Sequence, residues 1–232
     1  MSEPYRPPDQ AWQKAVGDYN EAIYDQDPQL LKKMAENEDP PALFSKVPGF
    51  EDSVARYRFY YGVMLYEGKK IPRDYAEAVK WLSLSAAQGN DDAMHALGIC
   101  HIMGHGAEQD SGKAAHWFRQ AAELGNRDAQ NNLGNCYSNG DGVPLDLEQA
   151  AHWWRKAAMQ HVPQAQFNIG CMALQLYDDP IEAYFWWRIV GIKHPKAAES
   201  LRKLVELMPP ETLREAEHRY AAAFSSDYGP SN

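Results

Sequence analysis

Seven columns of residues recur at a spacing of 36, and no other property of this chain restricts its fold so severely. Gly62, Gly98, Gly134 and Gly170 form one column, and Gly68, Gly104 and Gly140 a second. Trp81, Trp117 and Trp153 keep the same step. So do Asp74, Asp110 and Asp146, and three alanine columns: 78/114/150, 86/122/158 and 93/129/165. A chain built this way folds as a row of similar units, each burying its faces against its neighbours.

Each unit reads as two helices. In the third, Ala129, Leu133, Gly134 and Tyr137 lie three or four apart, as do Ala150, Trp153, Trp154, Ala157 and Ala158. A seven-residue linker joins the pair, running 68–74, 104–110 and 140–146. Its leading glycine can take the left-handed angles that end a helix. Its closing Asp can cap the next helix by accepting free backbone N–H groups. Ala and Gly let the helix axes approach closely, with the repeating Trp expected to fill the space beside them.

The fourth unit is altered: its linker is three residues shorter, and Leu176-Tyr177-Asp178 stands where glycines are expected. Asp179 keeps the capping place, Pro180 suits a first helical turn, and Ala183 with Trp186 repeats the step of Ala150 with Trp153. Two further helices are expected over 196–208 and 210–224. The second is charged enough to serve as a terminal cap facing water. The expected organisation is therefore a degenerate N-terminal helix pair and linker (1–53), and four repeats over 54–195 (54–90, 91–126, 127–162, 163–195). Capping helices (196–224) and a frayed tail (225–232) follow. The N-terminal pair rests on Trp12, Ala15, Val16, Tyr19, Ala22 and Ile23, then Leu30, Leu31 and Met34. Pro40, Pro41, Pro48 and Gly49 make 39–52 a loop. The fold class is all-α, a right-handed α-solenoid of stacked helix-turn-helix repeats.

The run Gly140-Asp-Gly-Val-Pro-Leu-Asp146, then Ala150, Trp153, Lys156-Ala157-Ala158, Ala165 and Ile169-Gly170, resembles the Sel-one-like repeat (SLR), a cousin of the tetratricopeptide repeat with a longer linker. The stretch from Gly104 to Gly134 is similar. The resemblance implies a non-catalytic protein–protein interaction scaffold, often bacterial, acting as an adaptor, a signalling regulator or an immunity protein beside a secreted toxin. One SLR subgroup staples each repeat with a disulfide; three cysteines, at 100, 136 and 171, do not supply two per repeat.

If the first helices line a concave face, the repeating glycine sets which side chains point into it, at offsets −6, −3, +1, +4 and +5. The first unit places Phe59, Val63 and Tyr66 there, and the second His95, Ile99, Ile102 and Met103. These apolar residues suit a partner helix or peptide. The third places Asn131 and Asn135, which can bond a peptide backbone, and the fourth Phe167. The opposing reading is that the N-terminal pair, or the loop with Leu43, Phe44 and Phe50, folds back and fills the groove.

A formal charge of −9, without a basic patch, argues against a nucleic-acid-coating role. Residues 1–53 hold five Lys+Arg and eleven Asp+Glu, a net of −6, so most of the acidity precedes the clear repeats. The N-terminus lacks a signal-peptide pattern and no run has about 20 apolar residues. A cytoplasmic protein with free thiols and no membrane insertion is expected. Oligomeric state is not legible. His101 and His105 share one helical face and support an alternative, a metal-dependent enzyme, but a zinc site wants three or four convergent ligands. Asp110 or His95 would have to complete it. The glycine-rich linkers follow no strand and do not continue as a phosphate-binding pattern. No cofactor is expected.

Overall fold

The structure is a computed structural model that describes residues 28–36 and 50–225. Eleven α-helices lie among the described residues. They fall into two compact units, residues 1–126 and 127–232.

Unit 1 holds α1 (Pro28–Glu36), α2 (Phe50–Glu67), α3 (Tyr75–Ala86), α4 (Asp91–Met103) and α5 (Ser111–Glu123), and each packs on the next. Unit 2 holds α6 (Arg127–Asn139), α7 (Leu147–Met159), α8 (Pro163–Tyr177) and α9 (Pro180–Val190). A short 3₁₀ turn (Gly191–Lys193), α10 (Pro195–Leu207) and α11 (Pro210–Ser225) complete it. Here α9 contacts both α10 and α11. The helix pairs repeat about every 36 residues, which makes this an all-α solenoid architecture.

The linkers fold as their sequence predicts. Gly68, Gly104 and Gly140 have φ of +69°, +71° and +76°, which a Cβ would strain. The closing Asp side chains accept the N–H of Glu77, Lys113 and Gln149, each at 2.9 Å. The Asp backbone N–H is also tied, to the carbonyl three residues after the repeating glycine. Asp74 donates to Leu65 at 3.0 Å, Asp110 to His101 at 3.0 Å and Asp146 to Tyr137 at 2.9 Å. The shortened fourth linker makes the same bond, from Asp179 N to Ala173 O at 2.9 Å, with Asp178 in the left-handed region at φ +49°.

The core is built on alanine. Ala78, Ala93, Ala114, Ala129, Ala150, Ala165 and Ala183 are fully buried. What fills the space over each repeating glycine differs from the sequence expectation. It is the residue after the repeating Trp, not that Trp. A Cβ on Gly62 would lie 2.9 Å from Leu82 Cγ, one on Gly98 would strike the Phe118 ring, and one on Gly134 the Trp154 indole. In the shortened repeat the Gly170 partner is Trp187. Burying each such side chain contributes about 1.5–3 kcal/mol. Trp81 and Trp117 remain half-buried.

At the N-terminal side, α1 buries Leu31 and Ala35 in one cluster with Tyr57, Tyr61, Met64, Leu65 and Ala78. Arg58 Nε donates to Ala35 O at 3.1 Å and fastens the helix end. The loop expected over 39–52 is corrected at its end, because α2 already begins at Phe50. The stripe from Trp12 to Ile23, the segment with Leu43 and Phe44, and residues 226–232 lie outside the described residues.

Candidate functional site

The glycine register sorts the first helices by exposure. In each of α2, α4, α6 and α8 the offsets −6 and +5 are exposed, while −3, +1 and +4 are half-buried. Phe59, Val63 and Tyr66 take the middle positions of α2, and His95, Ile99 and Ile102 those of α4. Met103 follows at 55% exposure. Phe59 and Val63 are not among the residues that pack in the cluster around α1.

Tyr66 is held differently from its neighbours. Its hydroxyl meets His105 Nδ1 at 3.0 Å, and His105 stacks on Tyr75 with centroids 4.4 Å apart and planes 14° apart. Tyr66 and Tyr75 meet edge-on at 5.1 Å, and the Arg73 guanidinium lies 5.5 Å from the Tyr75 centroid. Burial pushes the Tyr66 phenol pKa up from its ordinary value. Gly106 lets the second linker approach this cluster: a Cβ there would strike the Tyr75 carbonyl. His95 is half-buried, with its ring 5.7 Å from Phe118.

In unit 2 the equivalent face is polar. Asn135 Oδ1 accepts from Trp154 Nε1 at 3.0 Å and from Asn168 Nδ2 at 3.3 Å. Gln164 Nε2 donates to Asn168 Oδ1 at 2.8 Å, and Gln164 Oε1 meets His194 Nε2 at 3.1 Å. His194 Nδ1 caps α10 by accepting from Ala197 N at 3.2 Å, which leaves Nε2 as the donor to Gln164. Phe167 stacks on His194 at 4.5 Å and 19°. Asn131 is half-buried, and its Oδ1 is buried with no hydrogen-bond partner.

Gln164 stands at the −6 offset from Gly170, as the register predicts; sequence reading missed Asn168, His194 and Trp154 as members of this face. The legible signal was the column 82/118/154, which changes from Leu to Phe to Trp and so gains an indole N–H in the third repeat.

The two histidines proposed as metal ligands each make a hydrogen bond through Nδ1. His101 Nδ1 pairs with Glu108 O at 3.1 Å, and a carbonyl only accepts, so this nitrogen carries the proton. His105 Nδ1 is on Tyr66. Asp110 spends its carboxylate on the α5 N-terminus, which holds its pKa below the ordinary value. Among the described residues no group of three or more His, Cys, Asp or Glu is arranged to hold a metal ion. Cys100 and Cys136 are buried, and burial raises their thiol pKa to about 11.

No described helix is long and apolar enough to cross a membrane. An open hollow of about 290 Å³ on unit 2 lies away from the polar face, beside Glu148, His152, Arg155, Lys156 and Tyr177. Its lining charges carry both signs, and Arg155 is already paired with Glu182 at 2.9 Å.

The Sel1 repeat family matches residues 55–90, 91–126 and 127–162. Residues 55–162 are three Sel1 repeats. The match starts within one residue of the expected first repeat boundary. It stops before the fourth pair, whose linker is shortened. Sel1 repeats are generally protein–protein interaction scaffolds. No curated protein matches the sequence. Among solved structures, the chain is similar to a protective antigen with an SLR fold, present in uropathogenic Escherichia coli strains. Identity is 24% and the TM-score 0.65, over 92% of this chain and 50% of the antigen. A Sel1 repeat protein from Oxalobacter formigenes is 20% identical with a TM-score of 0.66, over 81% of this chain and 74% of that one. These likenesses show the fold, and the chain spans half the length of the Escherichia coli antigen.

Proposed function

We propose that this Sel1-repeat protein is a non-catalytic adaptor that binds a partner protein through the half-buried face of α2 and α4. One observation carries the reading: Val63, Ile99, Ile102 and Met103 are apolar, yet stay half-buried or exposed on a regular stripe outside the cluster that α1 joins. Such a stripe gains from removal of its remaining surface from water, at roughly 25 cal/mol per Å². Aromatic and methionine side chains at this spacing suit a helix or peptide with apolar residues every three or four positions.

The test has two stages. Affinity purification with mass spectrometry identifies the partner, and its identity separates an adaptor from an immunity protein. Calorimetric titration then compares wild type with Ile99→Glu and Met103→Glu. At least a tenfold loss of affinity is expected in variants whose circular dichroism is unchanged. Wild-type affinity in both folded variants refutes the assignment of this face.

A further inference from the structure

We infer that the polar face of α6 and α8 binds an extended polypeptide segment by its backbone, with the Asn135 carboxamide donating to a peptide carbonyl. This rests on the scaffold reading above and names a second mode of recognition, confined to unit 2.

The orientation of Asn135 is fixed by chemistry. An indole N–H can only donate, so the oxygen of Asn135 must face Trp154, at 3.0 Å. Asn168 Nδ2 reaches the same oxygen at 3.3 Å. The Nδ2 group is therefore turned the other way, with both N–H donors unused, at a half-buried position on the face. A donor pair held from behind by a buried ring binds an acceptor without first losing rotamer freedom.

The repeats supply an internal control. The position after the repeating glycine is Val63, Ile99, Asn135 and Cys171, and the side chain over that glycine is Leu82, Phe118, Trp154 and Trp187. Ring and aliphatic packing satisfies the second repeat with no polar atom at either place. In the fourth repeat the Trp187 indole donates to the backbone carbonyl of Phe167 at 3.1 Å instead. The third repeat alone joins an indole N–H to an amide side chain, an arrangement that packing does not require.

Asn131 is the second observation. It lies one turn earlier on α6, and its Oδ1 is buried with no hydrogen-bond partner. A buried carbonyl left unpaired is costly, and a turn of the carboxamide towards the face, where a ligand N–H can meet it, relieves that cost. The spacing also fits. Four helical residues rise about 6 Å, and alternate peptide groups on one edge of an extended chain are about 6.6–6.8 Å apart. Asn131 and Asn135 therefore meet successive groups on the same edge. A helical ligand cannot use them, because its backbone groups are already paired with one another.

Charge decides the class of ligand. Asn131, Asn135, Ser138, Gln164 and Asn168 are neutral, so a phosphate or a carboxylate finds no counter-ion among them. A peptide group is neutral and asks for hydrogen bonds alone. Phe167, half-buried and stacked on His194, offers an apolar contact beside the amides.

The test uses the full chain and a phage-displayed library of random linear heptapeptides. A selected peptide is labelled with fluorescein and its Kd is read by polarisation. Asn135→Asp keeps the acceptor for Trp154 and Asn168 but removes both donors, and at least a tenfold weakening is expected. A series of the same peptide with single backbone amides replaced by esters needs no protein variant. Affinity should fall at alternate positions. Selection of no peptide, or peptides insensitive to both changes, overturns the proposal. Sensitivity to Ile99→Glu with none to Asn135→Asp also overturns it, while leaving the α2/α4 face in place. Sensitivity to Asn135→Asp alone supports it and moves the binding role away from that face.

Discussion

Alanine in place of each repeating glycine gives a graded test of how the helix pairs close. Replacing a mid-helix Gly by Ala gains about 1 kcal/mol of helix propensity. Overpacking opposes that gain by about 1–3 kcal/mol. At Gly62 the new Cβ lies 2.9 Å from Leu82 Cγ, 3.1 Å from Cδ2 and 3.3 Å from the Ala78 carbonyl, a milder overlap than with a ring. The two effects should nearly cancel. At Gly98 the Cβ strikes the Phe118 ring, 2% exposed and flat, so a net loss of about 1–2 kcal/mol is expected. At Gly134 it strikes the Trp154 indole on the edge that bonds Asn135. Losing that hydrogen bond adds about 1 kcal/mol, for a total near 2–3 kcal/mol. For a chain of this length each kcal/mol shifts Tm by about 2–4 °C. Urea titration followed by far-ultraviolet circular dichroism and by tryptophan fluorescence measures the series. Gly134→Ala combined with Trp154→Leu should cost less than the sum of the two single changes. Equal stability of the three alanine variants, or strict additivity in the double variant, refutes the assigned closure.

Trp154→Ala should destabilise by about 3–5 kcal/mol, and the half-buried Trp117→Ala by clearly less, in the same urea titrations. Asp146→Ala removes the cap on α7 and should cost about 1 kcal/mol, while Asp146→Asn should retain most of it. Cys100 and Cys136 have thiol pKa values raised by burial from 9.0 to about 11. Because the folded value is the higher one, their contribution is complete below pH 9. It is lost as pH rises towards 11. The urea midpoint should therefore fall over that interval, and fall less when both are alanine.

The repeat register was open to sequence reading because its markers are backbone-critical residues. Gly68, Gly104 and Gly140 need left-handed angles, and Asp74, Asp110 and Asp146 must cap, so few other residues serve. The partner of each close-approach glycine was harder to see, since Leu82, Phe118 and Trp154 share only bulk and location. The conspicuous Trp column next to them drew the core assignment. Exposure along the stripe followed from helical geometry alone, which is why Val63 and Ile99, one position after the repeating glycine, are both half-buried. The bonds of that stripe did not follow. Tyr66 with His105, and Asn135 with Trp154, join residues 39 and 19 apart, and no local periodicity records such pairings. The Nδ1 engagements of His101 and His105 were hidden for the same reason, because one of them is with a linker carbonyl.

In every described repeat a backbone bond closes the far end of the linker, from the capping Asp to the carbonyl three residues past the glycine. The bond survives the loss of three intervening residues, from Asp179 to Ala173. Its two ends sit at helices, so the chain between them is exchangeable except in the second linker, where His105 holds Tyr66 and stacks on Tyr75. Foreign loops could be grafted between these anchors in the third and the shortened fourth repeat while the helices beneath keep their register.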